Sequence, residues 1–298
     1  MAEPAPFTGR PGALAFLGSP EAAVAPLRAL VDAGHDVRLV VSQPDRKRGR
    51  GGALVPSPVK AAALELGLAT SDRVDDVLDA GVDLGVVVAY GRLIRPHVLA
   101  AVPMVNLHFS SLPRWRGAAP VERALLAGDR CTGVCLMALE EGLDTGPVYA
   151  REEVPIGPEQ TLDELREALV GVGTRLLVDG LGAGLAAPEP QQGEPTYAAK
   201  LDPAELRIDW DRPAGEVHRL VRLGRAWTTF RGRRLLVRAA RLAATDGGPG
   251  PGVLDGPLVG CRPGALELVE VQPEGRAAQT AAAWRNGARP APGERVGP

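Results

Sequence analysis

Asn106 and His108 stand two residues apart in VNLHFSSLPRWRGAAP, and a carboxylate, Asp144, follows inside EGLDTG. In an extended strand, residues i and i+2 share one face, so the carboxamide and the imidazole point into one hollow. An amide donor, an imidazole and an acid suit acyl transfer, in which negative charge builds on a carbonyl oxygen while a proton leaves an amine. Each piece alone is ordinary. Asn-x-His at a strand end is commonly simple polar satisfaction, and Asp-Thr-Gly is commonly a turn. Their combination with the SLPRWRGAAP turn raises the catalytic reading above the bland one.

These residues need a sheet to hold them, and the chain has the pattern for one. ALAFLG (13–18) reads as a buried strand, Ser19-Pro20 opens a helix to about Ala33, and 37–42 gives a second strand. That βαβ unit predicts a parallel sheet, with a helix over 57–67 and a weak strand near LATSDRVDD. VDLGVVVA (82–89) is apolar throughout, as a strand buried on both faces is. Ligands in open parallel sheets bind beyond the carboxyl ends of strands, which puts Val88, Ala89, Tyr90 and Gly91 on the pocket wall. Residues 104–108 bring Asn106 and His108 to that same end, and a helix follows over 119–127. Residues 132–139 and 147–155 read as an antiparallel pair joined around EGLDTG. A helix over 161–185 starts with a Thr161/Glu164 capping box, and its five glycines weaken the last turns. A single glycine at the first strand–helix turn is not the G-x-G-x-x-G dinucleotide fingerprint.

With 298 residues, two unequal domains are expected. Hydrophobic content of 45% and charge of 23% fit a globular enzyme. The formal charge of −2 is unevenly spread: from Ala204 onward, 15 arginines face 10 acids. The C-terminal part is therefore the better surface for a polyanion. Cys131, Cys135 and Cys261 form no disulfide framework or metal set, and an odd count points to a reducing compartment. There is no 18-residue apolar run and no signal peptide, so a cytoplasmic address without a membrane is expected. Residues 1–12 read as a frayed Pro/Gly leader. AAPEPQQGE (186–194) reads as a linker, and short strands with Gly/Pro turns beyond it suggest a small β-barrel. Trp227 and Trp284 in that part are expected in its core, with stacking on bases the lesser reading.

The segment QPDRKRGRGGALVPSPVK gathers Arg46, Lys47, Arg48 and Arg50 among glycines, a mobile basic loop without hydrophobic anchors. Together with NLH to AAP, LDTG, YAAKL and RIDW, it makes nearly the whole chain resemble the formyltransferase family that uses 10-formyltetrahydrofolate. Ser111 and Pro147 depart from the family's common SLLP and LDTGD. The resemblance implies a Rossmann-like, mostly parallel α/β domain (1–185), a linker (186–203) and an OB-like β-barrel domain that holds tRNA (204–298). It implies catalysis by Asn106, His108 and Asp144, with folate against Ser110, Ser111, Leu112, Pro113 and the backbone of 88–91. The basic loop implies the branch that formylates charged initiator tRNA, through Arg46, Lys47, Arg48 and Arg50, as a monomer and without a metal. The rival readings are formyl transfer to a small amine such as an amino-sugar nucleotide, and a non-catalytic RNA-binding relative.

Overall fold

The computed structural model describes residues 6–48, 52–244 and 248–297. The chain divides into two compact units, one comprising Met1–Pro120, Cys131–Pro155 and Arg166–Ala199, the other Val121–Arg130, Ile156–Leu165 and Lys200–Pro298. The first half of the element order is β1 (Ala13–Gly18), α1 (Val24–Asp32), β2 (Asp36–Val41), β3 (Arg46–Arg48), β4 (Ala53–Val55), α2 (Pro58–Glu65), β5 (Thr70–Ser71), β6 (Leu84–Val88), α3 (Pro96–Ala101) and β7 (Met104–His108). α4 (Pro120–Ala127), β8 (Cys131–Ala138), β9 (Val148–Pro155) and α5 (Leu162–Ala183) follow.

The first unit is built on a seven-stranded sheet of order β5-β2-β1-β6-β7-β8-β9. β5 to β7 are parallel and β8 and β9 antiparallel. Strand order reverses at β1, which lies between β2 and β6, so a crevice opens at the carboxyl ends of β1 and β6. β1, β6 and β7 are buried along their whole length, the burial their unbroken apolar runs predict. One face packs Ala15, Leu17, Val87 and Met104 against Val98 and Leu99 of α3. α3, entered through Pro96 at its first turn, has too short a pattern to be read from sequence.

Over β7 and β8 the covering element is α5, and its glycines explain how. A Cβ on Gly173 would lie 2.9 Å from Leu107 and 3.1 Å from Val134, and one on Gly180 3.3 Å from Leu136. Glycine thus lets the helix axis approach the sheet, and 22 residues stay helical where the sequence suggests fraying. The Thr161/Glu164 capping box forms as expected.

Three expectations change. Ser19 does not cap the first helix; its hydroxyl donates to the Tyr90 carbonyl and accepts from the Gln43 N–H, tying three loops at the crevice. The basic segment is not a bare loop, because β3 and β4 pair antiparallel from Arg46↔Val55 to Arg48↔Ala53. The stretch read as a linker pairs with β9, through Val148↔Glu189.

The second unit adds α6 (Ala214–Val221), β10 (Trp227–Phe230), β11 (Arg233–Leu242), β12 (Leu254–Asp255), β13 (Leu258–Gly260), β14 (Ala265–Pro273), β15 (Gln279–Thr280) and α7 (Ala281–Ala288). Its antiparallel sheet runs β10-β11-β14-β13-β12. The chain end joins the two edges: Val296 bridges Phe230 beside β10, and Arg295 bridges Val253 beside β12. These two bridges tie the ends of the sheet to one segment, the closure expected of a small barrel. Trp284 packs in the core, 5.1 Å from Phe230 at 79°. Trp227 does not follow it inside. The guanidiniums of Arg234 and Arg207 lie 4.7 and 5.8 Å from its ring, and its indole N–H has no hydrogen-bond partner among the described residues.

Candidate active site

β7 sets the site. Asn106 and His108 face the same way as their antiparallel partners Met137 and Cys135 on β8. With Leu112 and Val148 those two form a small apolar floor. Burial pushes the Cys135 thiol up, so this floor is neutral. Asn106 and His108 are only 9% and 6% exposed. A polar group at such depth ordinarily has a partner, yet the Asn106 carboxamide makes no hydrogen bond among the described residues.

The chain after β7 turns back over His108. Ser110, fully buried, donates to the Arg114 carbonyl at 2.7 Å and closes the turn. Trp115, in the left-handed region at φ 63, presents its carbonyl 3.0 Å from His108 Nε2. A carbonyl only accepts, so in this contact Nε2 carries the proton. Nδ1, the other ring nitrogen, lies 3.7 Å from Asp144 Oδ2. That separation suits charge attraction but is too long for a hydrogen bond. A proton on Nδ1 is therefore uncommitted.

Asp144 arrives from the β8–β9 connection with φ 52, another left-handed residue. Its Oδ2 accepts from the Gly117 N–H at 2.7 Å. Gly117 is required there twice over: its φ is +118, and a Cβ would meet the Ala198 carbonyl oxygen at 2.9 Å. Behind the acid stands Gln191, which sequence reasoning missed. Its Nε2 donates to the carbonyls of Asp144 (2.9 Å) and Gly146 (2.8 Å), and its Oε1 accepts from Arg116 Nε and Nη2 (3.1 and 2.7 Å). Thr196 adds its hydroxyl to the Trp115 N–H at 2.9 Å. Only the composition of PEPQQGEPTY was visible in the sequence, and composition reads as linker.

The expected folate-facing residues divide by what their side chains do. Leu112 is buried in the apolar floor, Ser111 abuts Gly133 of β8, and Pro113 is half-buried. Val88 and Tyr90 point into the core, while Ala89 (φ 47) and Gly91 (φ 73) are exposed. The 88–91 turn therefore offers backbone to the crevice. Gln43 Nε2 donates to the Tyr90 carbonyl (3.1 Å), and its Oε1 accepts from Arg46 (2.6 Å), so the basic hairpin is anchored to that turn. Lys60 pairs with Asp45 at 2.7 Å. Lys47 is exposed. Arg50 and the Arg48 side chain lie outside the described residues. Among the described residues no group of three or more His, Cys, Asp or Glu could hold a metal, and no helix is long and apolar enough to cross a membrane.

The arrangement has relatives. Residues 13–181 match the formyl transferase family and residues 200–289 the formyl transferase C-terminal domain. The chain is 47% identical to the methionyl-tRNA formyltransferase of Roseobacter denitrificans over 92% of this chain and 95% of that one. It is 42% identical to that of Symbiobacterium thermophilum, over 95% and 94%. Among solved structures, the N-formyltransferase of Helicobacter canadensis in complex with folinic acid and dTDP-3-aminofucose superposes with a TM-score of 0.67 at 15% identity, covering 86% of this chain and 98% of that one. HypX of Aquifex aeolicus in complex with tetrahydrofolic acid does so at 0.64 and 18%, covering 93% and 47%. Those two likenesses concern the fold. By both family matches and by identity along nearly its whole length, the chain belongs to the formyltransferase family.

Proposed function

We infer that this chain transfers a formyl group from a folate donor, 10-formyltetrahydrofolate, to the α-amino group of initiator methionyl-tRNA. One observation carries the chemistry: two buried donors, the Asn106 carboxamide and the Nδ1 side of His108, share a face with their hydrogen-bonding capacity unspent, beside the Asp144 carboxylate. The acceptor reading is carried by relatives named for it along nearly their full length. The exposed backbone at Ala89 and Gly91 fits the polar edge of a pterin.

The amine attacks the formyl carbon, a C–N bond forms, and the carbonyl pair moves to oxygen. Asn106 and a doubly protonated His108 donate to that oxyanion. The positive ring stands against Asp144, which balances its charge. As the pair returns, the bond to the folate nitrogen breaks and the amine's proton passes to that nitrogen. A terminal α-amine titrates near 7.7–8.0 in peptides, so a neutral nucleophile is available near neutral pH. Arg46 and Lys47, with Arg48 and Arg50, and the arginine-rich barrel would meet the tRNA backbone.

The test is a formylation assay with charged initiator methionyl-tRNA beside a small amino-sugar nucleotide, following tetrahydrofolate release by absorbance. Product on the tRNA, lost in His108→Ala, is expected. Turnover with the small amine alone overturns the acceptor, and undiminished turnover in His108→Ala overturns the chemistry.

A further inference from the structure

We propose that Gln191 is a positioning residue for formyl transfer, acting through Asp144. The proposal rests on the catalytic reading above and names the group that sets the acid's aim.

Asp144 has one strong side-chain contact, from the Gly117 N–H, and reaches His108 only across 3.7 Å. Its direction is therefore decided by its backbone, which sits at φ 52 in a region uncommon outside glycine. Gln191 holds that backbone. Its single amide nitrogen spends both protons on carbonyls two residues apart, those of Asp144 and Gly146, which sets the curvature of the turn. Its oxygen takes two bonds from Arg116, the neighbour of Gly117. A ring of contacts closes: Gly117 N–H to Asp144 Oδ2, Asp144 carbonyl to Gln191, Gln191 to Arg116, and Arg116 along the chain to Gly117. Both ends of the acid, backbone and carboxylate, are thus fixed against the loop that also carries the Trp115 carbonyl on His108. All four hydrogen-bonding valences of the carboxamide are used. No other side chain type supplies two donors and a bifurcated acceptor at this length.

Gln191→Ala and Gln191→Glu separate geometry from folding. Glutamate keeps the length and can still accept from Arg116, but loses both donors to the carbonyls. A misplacement on the order of 1 Å can cost ~10²-fold in rate. Both variants are therefore expected to lose about 10–100-fold in kcat, while KM for folate and for charged tRNA changes less than about threefold. Because the effect runs through Asp144, neither variant should lower kcat further in an Asp144→Ala background. A normal kcat in a folded Gln191→Glu enzyme overturns the proposal, and so does a full multiplicative loss in the double variant. If Asp144→Ala itself turns over normally, it is the catalytic reading that falls, and the two failures are told apart.

Discussion

The two parts of the first unit proposed to meet substrate are built in opposite ways. In the Asn106–His108–Asp144 corner the side chains are buried or nearly so, and hydrogen bonds with the Trp115 carbonyl, the Gly117 N–H and Gln191 confine two of these residues. In the β3–β4 hairpin, charge stands in water on a ladder of three pairs, held at its base by Gln43 and Asp45. A buried donor aimed at developing charge acts at full strength without reorganising. An exposed cation is screened within a Debye length of about 8–10 Å and adds attraction with little direction. The corner should therefore govern turnover, and the hairpin encounter and affinity.

The largest effect that could break this contrast is at the corner itself. His108→Ala and Asn106→Ala should each lower kcat by ~10²–10³, roughly 2.7–4 kcal/mol of transition-state stabilisation, read by single-turnover formylation. If either variant changes KM alone, the corner binds rather than catalyses.

A smaller effect tests the support behind the corner. Gly173→Leu would push a side chain into Leu107, the residue between Asn106 and His108 on β7. Overpacking of this kind costs about 1–3 kcal/mol, so urea unfolding should shift to lower midpoints and kcat should fall with it. Unchanged stability would mean that α5 can withdraw from the sheet.

Smaller again is the hairpin. Lys47→Ala should raise KM for charged tRNA a few-fold, leave KM for folate alone and flatten the log–log salt dependence by about 1. An equal loss toward both substrates would erase the division of labour.

The smallest effect belongs to an ion pair of the second unit, Arg231 with Glu294 at 2.7 Å. The Arg231 guanidinium, helped by the Ala291 N–H, holds the Glu294 carboxyl down at about 2. A depressed folded value stabilises above the ordinary glutamate range near 4.3. The contribution fades as pH falls toward about 2. Glu294→Gln should therefore lower Tm slightly at pH 6 and not at pH 2. A deficit that persists in acid would assign the effect to packing at the barrel's closure rather than to charge.

Much of the fold was legible because its cause is local. The apolar runs of β1, β6 and β7, and the Thr161/Glu164 box, are short-range patterns, and the strand spacing of Asn106 and His108 is enough to place both on one face. The basic hairpin was hidden, since its strands are only three residues long and β3, Arg-Lys-Arg, carries charge where strands usually carry β-branched or aromatic residues. Ser19 was misread because Ser-Pro is a good local start signal, while its actual partners lie 24 and 71 residues away. The glycines of α5 look like breaks until the sheet they approach is present.

What the residues determined by themselves was the chemistry on offer: a carboxamide and an imidazole on one strand face, an acid after a turn, and a charge excess toward the C-terminus. What only the folded chain decided was aim. Asp144 comes close to His108 because a left-handed turn, a glycine N–H and a glutamine from a proline-rich stretch converge on it. Contacts between residues tens of positions apart leave no periodicity behind, so no local pattern in the chain could announce them.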